Sequence, residues 1–208
     1  KMVGVVAVFC VVLVALPPVH QRIRQAVQQY AAWTQGHTAS SIGLRLGLWR
    51  LGLHEVRVQP FVGIGEDGFM ARLRAAVARG AISSEALTLG HAHNELLDML
   101  VKRGVLGLLA LLLFYAVPGF LFWRALRSPD ESAVPVADAE RAAALCGLVT
   151  VVGFIGFGLT QVLFAHNNGN LMYLLTVSLW LAACSGARLG IPGRRSDPVL
   201  AERARALA

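Results

Sequence analysis

The chain has 208 residues, of which 56% are hydrophobic and only 15% are charged, and its formal net charge is +7. An average soluble domain has about 25% charged residues, so this composition would leave large apolar patches exposed to water. It therefore excludes an ordinary soluble globular protein. It also excludes a disordered chain, because disorder requires low hydrophobicity. The composition predicts a membrane protein.

Four apolar stretches are long enough to cross a bilayer as helices, which takes about 20 residues each. They lie at residues 1–19, 104–123, 142–165 and 171–187. The first stretch has Lys1 before an apolar core, as a signal peptide does, but no A-x-A-like cleavage site follows it. Because the chain opens on a lysine at a membrane boundary, we expect further membrane helices of the same polypeptide to precede it.

Positively charged residues in short loops stay on the cytoplasmic side of a membrane, which predicts the orientation. The connection at 124–141 contains three arginines, the tail at 188–208 contains five, and the turn at 166–170 has no formal charge. The turn is therefore predicted outside, and so is the 20–103 segment, because long loops cross largely regardless of charge. The sequence predicts an all-α transmembrane helix bundle with a large helical outer loop.

The outer loop contains ten Lys and Arg against six Asp and Glu, and its apolar spacing predicts helices. Residues 20–33 are typical of an interfacial helix. Ser40 or Ser41 can cap a second helix, with an apolar stripe of Ile42, Leu46, Trp49 and Leu53. A third helix is predicted over residues 69–79, ended by Gly80.

A polar segment, His91-Ala92-His93-Asn94-Glu95, directly precedes a fourth helix predicted to begin near Asn94 and to lead into the 104–123 span. The positive end of a helix disfavours an imidazolium, so we expect a neutral His93 that can accept a proton. Arg45 lies in a mostly apolar helix, where a charge needs a partner. A guanidinium binds phosphate bidentately. Together these residues predict a general-base site for a phosphate-activated leaving group. The alternative for His93 is an interfacial or capping histidine.

Three further patterns have competing interpretations. A metal site at His91 and His93 would need an extended segment and a third ligand such as Glu95, His54 or His166. The G-x-G-x-x-G pattern at residues 63–68 matches the dinucleotide fingerprint, but that fingerprint requires a surrounding βαβ unit, so a tight turn is the better interpretation. The arginines at 22, 24, 72, 74 and 79 also fit a basic face lying against anionic lipid headgroups.

Four motifs follow one another in this region: Ser41-x-x-x-Arg45-Leu46-x-x-Trp49, Pro60-x-x-Gly63-x-Gly65-x-x-x-Phe69, His91-Ala-His93-Asn94-Glu95-x-Leu97 and Gly104-Val-Leu-Gly107-Leu-Leu. Their order, in a large outer loop between membrane spans, resembles the O-antigen ligase family. That superfamily also includes O-antigen polymerases and bacterial protein O-oligosaccharyltransferases. The resemblance covers about residues 40–125, and the two later spans are similar to the C-terminal end of the family.

The resemblance implies a GT-C-like glycosyltransferase of the bacterial inner membrane with its active site on the periplasmic face. Such enzymes move a glycan from an undecaprenyl-pyrophosphate donor to a sugar hydroxyl of lipid A-core. They use no nucleotide sugar, no ATP and no essential metal ion, and no nucleic-acid partner is expected. By this resemblance His93 is the base and Arg45 binds pyrophosphate, while Arg50, His91 and Asn94 are expected to contact substrate.

Other functions remain compatible with the sequence. O-antigen polymerase and protein O-oligosaccharyltransferase differ from a ligase only in the acceptor, which depends on pocket shape. A transporter subunit for lipid-linked sugars would have ionisable residues within its spans, and apart from Lys1 at the boundary of the first one the four predicted spans contain no charged residue. A purely structural membrane subunit would tolerate replacement of His93 and Arg45.

Overall fold

The computed structural model describes residues 16–127 and 134–185. The helices are α1 (Pro17–Thr34), α2 (Ser41–Val58), α3 (Gly65–Ala78), a 3-10 helix (Ser84–Thr88), α4 (Glu95–Arg127), α5 (Val134–Gly158) and α6 (Asn167–Ser185). Within the described residues there is no strand, so the all-helical prediction is confirmed for them. Most of the predicted first span, part of the 124–141 connection and the 188–208 tail lie outside the described residues. The chain divides into two compact units, residues 1–107 and 108–208.

The N-terminal unit contains the helices predicted in the outer loop. Ser40 caps α2 by accepting a hydrogen bond from the Gly43 N–H at 3.0 Å. Helix α3 begins at Gly65 rather than at the predicted residue 69. Gly65 has a positive φ of 73°, and the two acidic residues that follow it favour the positive end of a helix. Residues 63–68 therefore form the end of a turn and the start of a helix, and no strand of a βαβ unit lies in the described residues around them.

The buried face of α2 is not the predicted apolar stripe. The buried residues are Gly43, Gly47, Leu48, Gly52 and Glu55, whereas Leu53 of the predicted stripe is 54% exposed. Ile82 packs against Gly47, and Val101 packs against Gly52. The sequence predicts a contact surface of large apolar residues. Glycines form it instead, because they let α2 pack closely against Ile82 and Val101. The core beside it consists of Leu48, Phe69, Leu73, Ala76, Ile82, Ala86 and Val101.

Helix α4 has a kink at Gly104, where φ is 68° and ψ is −166°. In an unbroken helix the Val105 N–H would donate to the Val101 carbonyl. Here the Val101 carbonyl accepts from the Ile64 N–H at 2.9 Å, and the Val105 N–H donates to the Pro60 carbonyl at 2.8 Å. The α2–α3 turn thus replaces the hydrogen bonds that the kink removes. It joins the short helical segment before the kink to the rest of the N-terminal unit.

We expect Gly104→Ala to destabilise the protein, because residue 104 has a positive φ and an added Cβ would overlap the Phe61 carbonyl. The backbone conformation alone costs about 1–3 kcal/mol for a residue other than glycine, and the overlap adds to that. Thermal unfolding in detergent, followed by circular dichroism, measures the change. Gly153→Ala is the matched control, because no atom lies within 4 Å of its added Cβ. A Gly104→Ala protein as stable as that control would contradict this account.

The C-terminal unit consists of the last part of α4 together with α5 and α6. Among the described residues, two helices are long and apolar enough to cross a membrane by length and composition, Glu95–Arg127 and Asp138–Gly158. Helix α5 ends at Gly158, before the predicted end of the third span at 165, and α6 begins at Asn167 inside the predicted 166–170 turn. The Tyr173 hydroxyl donates to the Phe114 carbonyl at 3.0 Å, which links α6 to α4 within this unit.

Candidate active site

Arg45 and His93 line the same cavity, which has a volume of about 310 Å³. Arg45 belongs to α2, and His93 lies two residues before the start of α4. Ser41, Leu44 and Leu89 complete the lining. Both side chains are partly buried. The fold therefore brings together the two residues that the sequence singles out, although 48 positions separate them. We refer to this space as the transfer cavity.

The backbone of His93 is strained. Its φ is +49°, and no other non-glycine residue in the part of the chain that the structure describes has a positive φ. Such a conformation costs about 1–3 kcal/mol and persists only where the surroundings impose it. Asn94 follows as the helix cap, its side-chain oxygen accepting the Leu97 N–H at 2.9 Å. His93 thus lies at the N-terminus of α4, as predicted from the sequence.

Ala92 anchors the segment of residues 91–95 through its backbone hydrogen bonds. It is fully buried. Its carbonyl accepts a hydrogen bond from the Trp49 indole N–H at 2.8 Å, and its N–H donates to Asp98 Oδ1 at 2.8 Å. Because both backbone groups of Ala92 are bonded to side chains, the peptide next to His93 has a defined orientation. Trp49 comes from α2, the helix that carries Arg45, so one hydrogen bond couples the two halves of the cavity.

A buried ion pair supports Asp98. The Lys102 ammonium lies 3.0 Å from Asp98 Oδ2 and 2.9 Å from Glu66 Oε1, and it donates to the Gly90 carbonyl at 3.2 Å. Asp98 and Lys102 are both more than 90% buried. Burial raises the pKa of the Asp98 carboxyl above its ordinary value, and the Lys102 ammonium opposes that shift. These residues precede the kink and lie outside the predicted 104–123 span.

His91 contacts His93 directly. The two imidazole rings meet edge to face with their centroids 4.4 Å apart. The backbone N–H of His93 donates to the side-chain Nδ1 of His91 at 3.4 Å. His91 therefore supports the ring of His93 from one side. Within residues 16–127 and 134–185, no group of three His, Cys, Asp or Glu residues has the arrangement to hold a metal ion.

Arg50 does not line the transfer cavity. It lines a second cavity together with His54 and Arg79. Successive residues of an α-helix are 100° apart, so Arg50 and His54 point away from the face of α2 that carries Arg45. Arg50, which the resemblance predicts to contact substrate, therefore lines a different cavity from Arg45.

Acidic side chains modify the electrostatics at His93. The positive end of α4 disfavours an imidazolium, but the first turn of this helix contains Glu95 and Asp98. Lys102 balances the charge of Asp98 at 3.0 Å. The end of α4 disfavours a charged His93 imidazole, whereas the acidic side chains favour it. The neutral state of His93 therefore stays a prediction.

Sequence reasoning missed the roles of Trp49, Asp98 and Lys102 around the histidine segment. Trp49 was assigned to an apolar stripe, and the other two were not singled out. One signal was present, since Asp98 and Lys102 have the i, i+4 spacing of a helical ion pair just before an apolar run. Nothing in the sequence indicated that Ala92 would be the shared partner of Trp49 and Asp98.

The O-antigen ligase family matches residues 1–112, more than half of the chain, and the chain belongs to this family. An O-antigen ligase of Escherichia coli (strain K12) is 24% identical over 158 residues, which are 74% of this chain and 33% of that protein. An uncharacterized protein of Haemophilus influenzae is 28% identical over 134 residues, 64% of this chain and 32% of that protein.

The chain therefore spans about a third of the length of each of these relatives. The two apolar helices of the described residues, taken together with the family, indicate a membrane protein.

Proposed function

We propose that this chain carries catalytic residues of an inverting glycosyltransferase that moves O-antigen glycan from undecaprenyl pyrophosphate to a sugar hydroxyl of lipid A-core. The site would lie on the periplasmic face of the inner membrane, in a multi-pass protein whose 20–103 segment is the periplasmic loop. The observation that supports this proposal is the transfer cavity, which is lined by both Arg45 and His93.

The two residues have complementary parts in the proposed reaction. His93 accepts the proton of the acceptor hydroxyl as its oxygen forms a bond to the anomeric carbon of the glycan. The bond between that carbon and the pyrophosphate oxygen breaks, and undecaprenyl pyrophosphate leaves with the bonding electrons. Arg45 stabilises the developing negative charge with its planar pair of N–H donors. Attack opposite the leaving group inverts the anomeric centre.

The cavity volume is compatible with a site that holds only the reacting groups of the two substrates. Small-molecule sites span roughly 300–1,000 Å³, and the transfer cavity, at about 310 Å³, lies at the lower limit. It has room for the reacting groups alone, so the glycan chains and lipid tails must extend outside it. Both substrates are lipid-linked, so only their head groups need to meet there.

Transfer in reconstituted vesicles tests the proposal. The donor is a defined glycan on undecaprenyl pyrophosphate, and lipid A-core, a second carrier-linked glycan and an acceptor protein are offered in turn, with EDTA present. We expect product with lipid A-core only, and with the opposite anomeric configuration to the donor. Product with either other acceptor would reassign the enzyme to polymerase or protein oligosaccharyltransferase. No product with any acceptor would contradict a transferase.

Trp49→Phe should lower kcat by about tenfold while leaving the KM for the donor nearly unchanged. The substitution removes the indole N–H that orients the Ala92 carbonyl at 2.8 Å, and a small misplacement of a catalytic group costs rate before it costs binding. Trp49 is thus a positioning residue. Trp123→Phe is the control, because Trp123 lines neither cavity and contacts Phe120 and Arg127 of its own helix. A Trp49→Phe enzyme with wild-type kcat would contradict this role.

A further inference from the structure

A second cavity lies on the side of α2 opposite the transfer cavity. Its volume is about 730 Å³, more than twice the 310 Å³ of the transfer cavity. Its functional side chains are Arg50 and His54 from α2, Trp33 from the end of α1, and Arg79, which follows α3. We call this space the arginine cavity. All of its lining belongs to the N-terminal unit.

The charges of the arginine cavity are unbalanced. Two guanidinium groups line it, and none of its described lining residues is acidic. Neither Arg50 nor Arg79 forms an ion pair with a residue that the structure describes, whereas the neighbouring Arg72 lies 3.3 Å from the buried carboxylate of Glu55. Arg50 and Arg79 are both exposed, so solvent and salt screen their mutual repulsion while both guanidinium groups stay accessible to an anion. An anion bound between them would remove that repulsion.

Trp33 and the cavity volume narrow the class of anion. An indole ring presents a flat apolar surface with one polar N–H, and such a surface suits the C–H face of a sugar ring. At about 730 Å³ the cavity has the size of an ordinary small-molecule site, larger than a single phosphate requires. A cavity lined by an indole ring and two arginines therefore fits a sugar that carries its own negative charge.

We propose that the arginine cavity binds an anionic sugar residue, one bearing a phosphate or a carboxylate. Arg50 and Arg79 contact the oxyanion, and Trp33 packs against the sugar ring. This inference goes beyond the proposed transfer reaction and does not depend on it, because binding here requires neither His93 nor Arg45. It also gives Arg50 a ligand different from the pyrophosphate held by Arg45.

Binding is measured on the full chain in detergent, by calorimetry and by tryptophan fluorescence. The probes are glucose 1-phosphate, glucuronic acid, uncharged glucose and inorganic phosphate. We expect both charged sugars to bind more tightly than inorganic phosphate and glucose not to bind. Binding should weaken as salt is raised, since the interaction is electrostatic. Trp33→Phe should remove the fluorescence response to the charged sugars.

The variants locate the site. R50Q/R79Q should weaken binding of the charged sugars by at least about tenfold, because each lost charge-assisted hydrogen bond accounts for about that factor. R74Q is the matched control, because Arg74 is an exposed arginine of α3 that lines neither cavity, and it should bind as the wild type does. If R50Q/R79Q fails to fold, the wild-type protein can be labelled at arginine and studied by NMR. The guanidinium resonances of Arg50 and Arg79 should then shift when a charged sugar is added.

Three results would overturn the proposal. The first is the absence of any response to a charged sugar in the wild-type protein. The second is loss of binding in R45Q but not in R50Q/R79Q, which would place the ligand in the transfer cavity. The third is a response to phosphatidylglycerol vesicles with none to the charged sugars, which would assign the two arginines to a lipid headgroup. Each of these concerns binding alone, so failure here is distinct from failure of glycan transfer.

Discussion

His93→Ala and His93→Asn should each yield a folded, membrane-inserted protein whose glycan transfer falls by about 10²- to 10⁴-fold, the usual contribution of a general base. Neither side chain can accept the proton of the acceptor hydroxyl in the transition state. Asparagine is the sharper substitution, because residue 93 has a φ of +49° and asparagine tolerates that region better than most residues. Its fold should therefore be retained while the base is lost. The measurement is initial rate in reconstituted vesicles, with donor and acceptor in excess.

His20→Ala is the matched control for the loss of a histidine. His20 is exposed on α1 and lines neither cavity, so its removal should leave the rate unchanged. The thermal midpoints of all three variants establish whether they are folded. Transfer by His93→Asn at the wild-type rate would exclude His93 as the base. Loss of transfer accompanied by loss of the folded state in both His93 variants would assign the residue to structure instead.

The parts of the fold that depend on local sequence were predictable. A serine before an apolar run gives the cap of α2, and a polar segment before a long apolar run gives the start of α4. His93 and Arg45 could be singled out because each is a polar residue at a position where burial costs free energy unless the side chain has a bonding partner. The resemblance to the O-antigen ligase family, now shown for residues 1–112, assigned them their expected roles.

The parts that depend on contacts distant in sequence were not predictable. The hydrogen bond from Trp49 to Ala92 joins residues 43 positions apart, and no local pattern encodes that partner. The buried face of α2 was missed for a similar reason. Glycines become a contact face only when a partner such as Ile82 packs closely against them, and apolar periodicity does not count them.

The kink at Gly104 explains why the charged network lies where it does. Before the kink, α4 contains Asp98 and Lys102, which hold the histidine segment and are bonded to α3 and the loop before α4. After it, residues 104–123 contain no charge. In a straight helix the Val105 N–H would donate to the Val101 carbonyl. That carbonyl would then no longer be available to the Ile64 N–H, which it binds here. The glycine thus separates the charged turns of α4 that hold the histidine segment from the uncharged residues that follow it.

Arg45→Gln should lower glycan transfer by about 10²- to 10³-fold, the usual cost of removing one preorganised donor to a developing negative charge. Arg45→Lys should recover only part of that loss. A lysine supplies the charge but not the planar fork that holds two phosphate oxygens at once. The effect should appear mainly in kcat, because the charge on the bridging oxygen develops as the bond breaks. The measurement is the rate as a function of donor concentration.

Inorganic pyrophosphate provides a second readout of the same residue. It should inhibit the wild-type enzyme competitively with the donor, inhibit Arg45→Lys less, and inhibit Arg45→Gln least. Arg57→Gln is the matched control, because Arg57 is exposed in the last turn of the same helix and lines neither cavity. Equal inhibition of Arg45→Gln and wild type would show that the guanidinium does not contact the diphosphate. A site in which Arg45 acts only through packing predicts that outcome, whereas electrostatic stabilisation of the leaving group predicts the graded series.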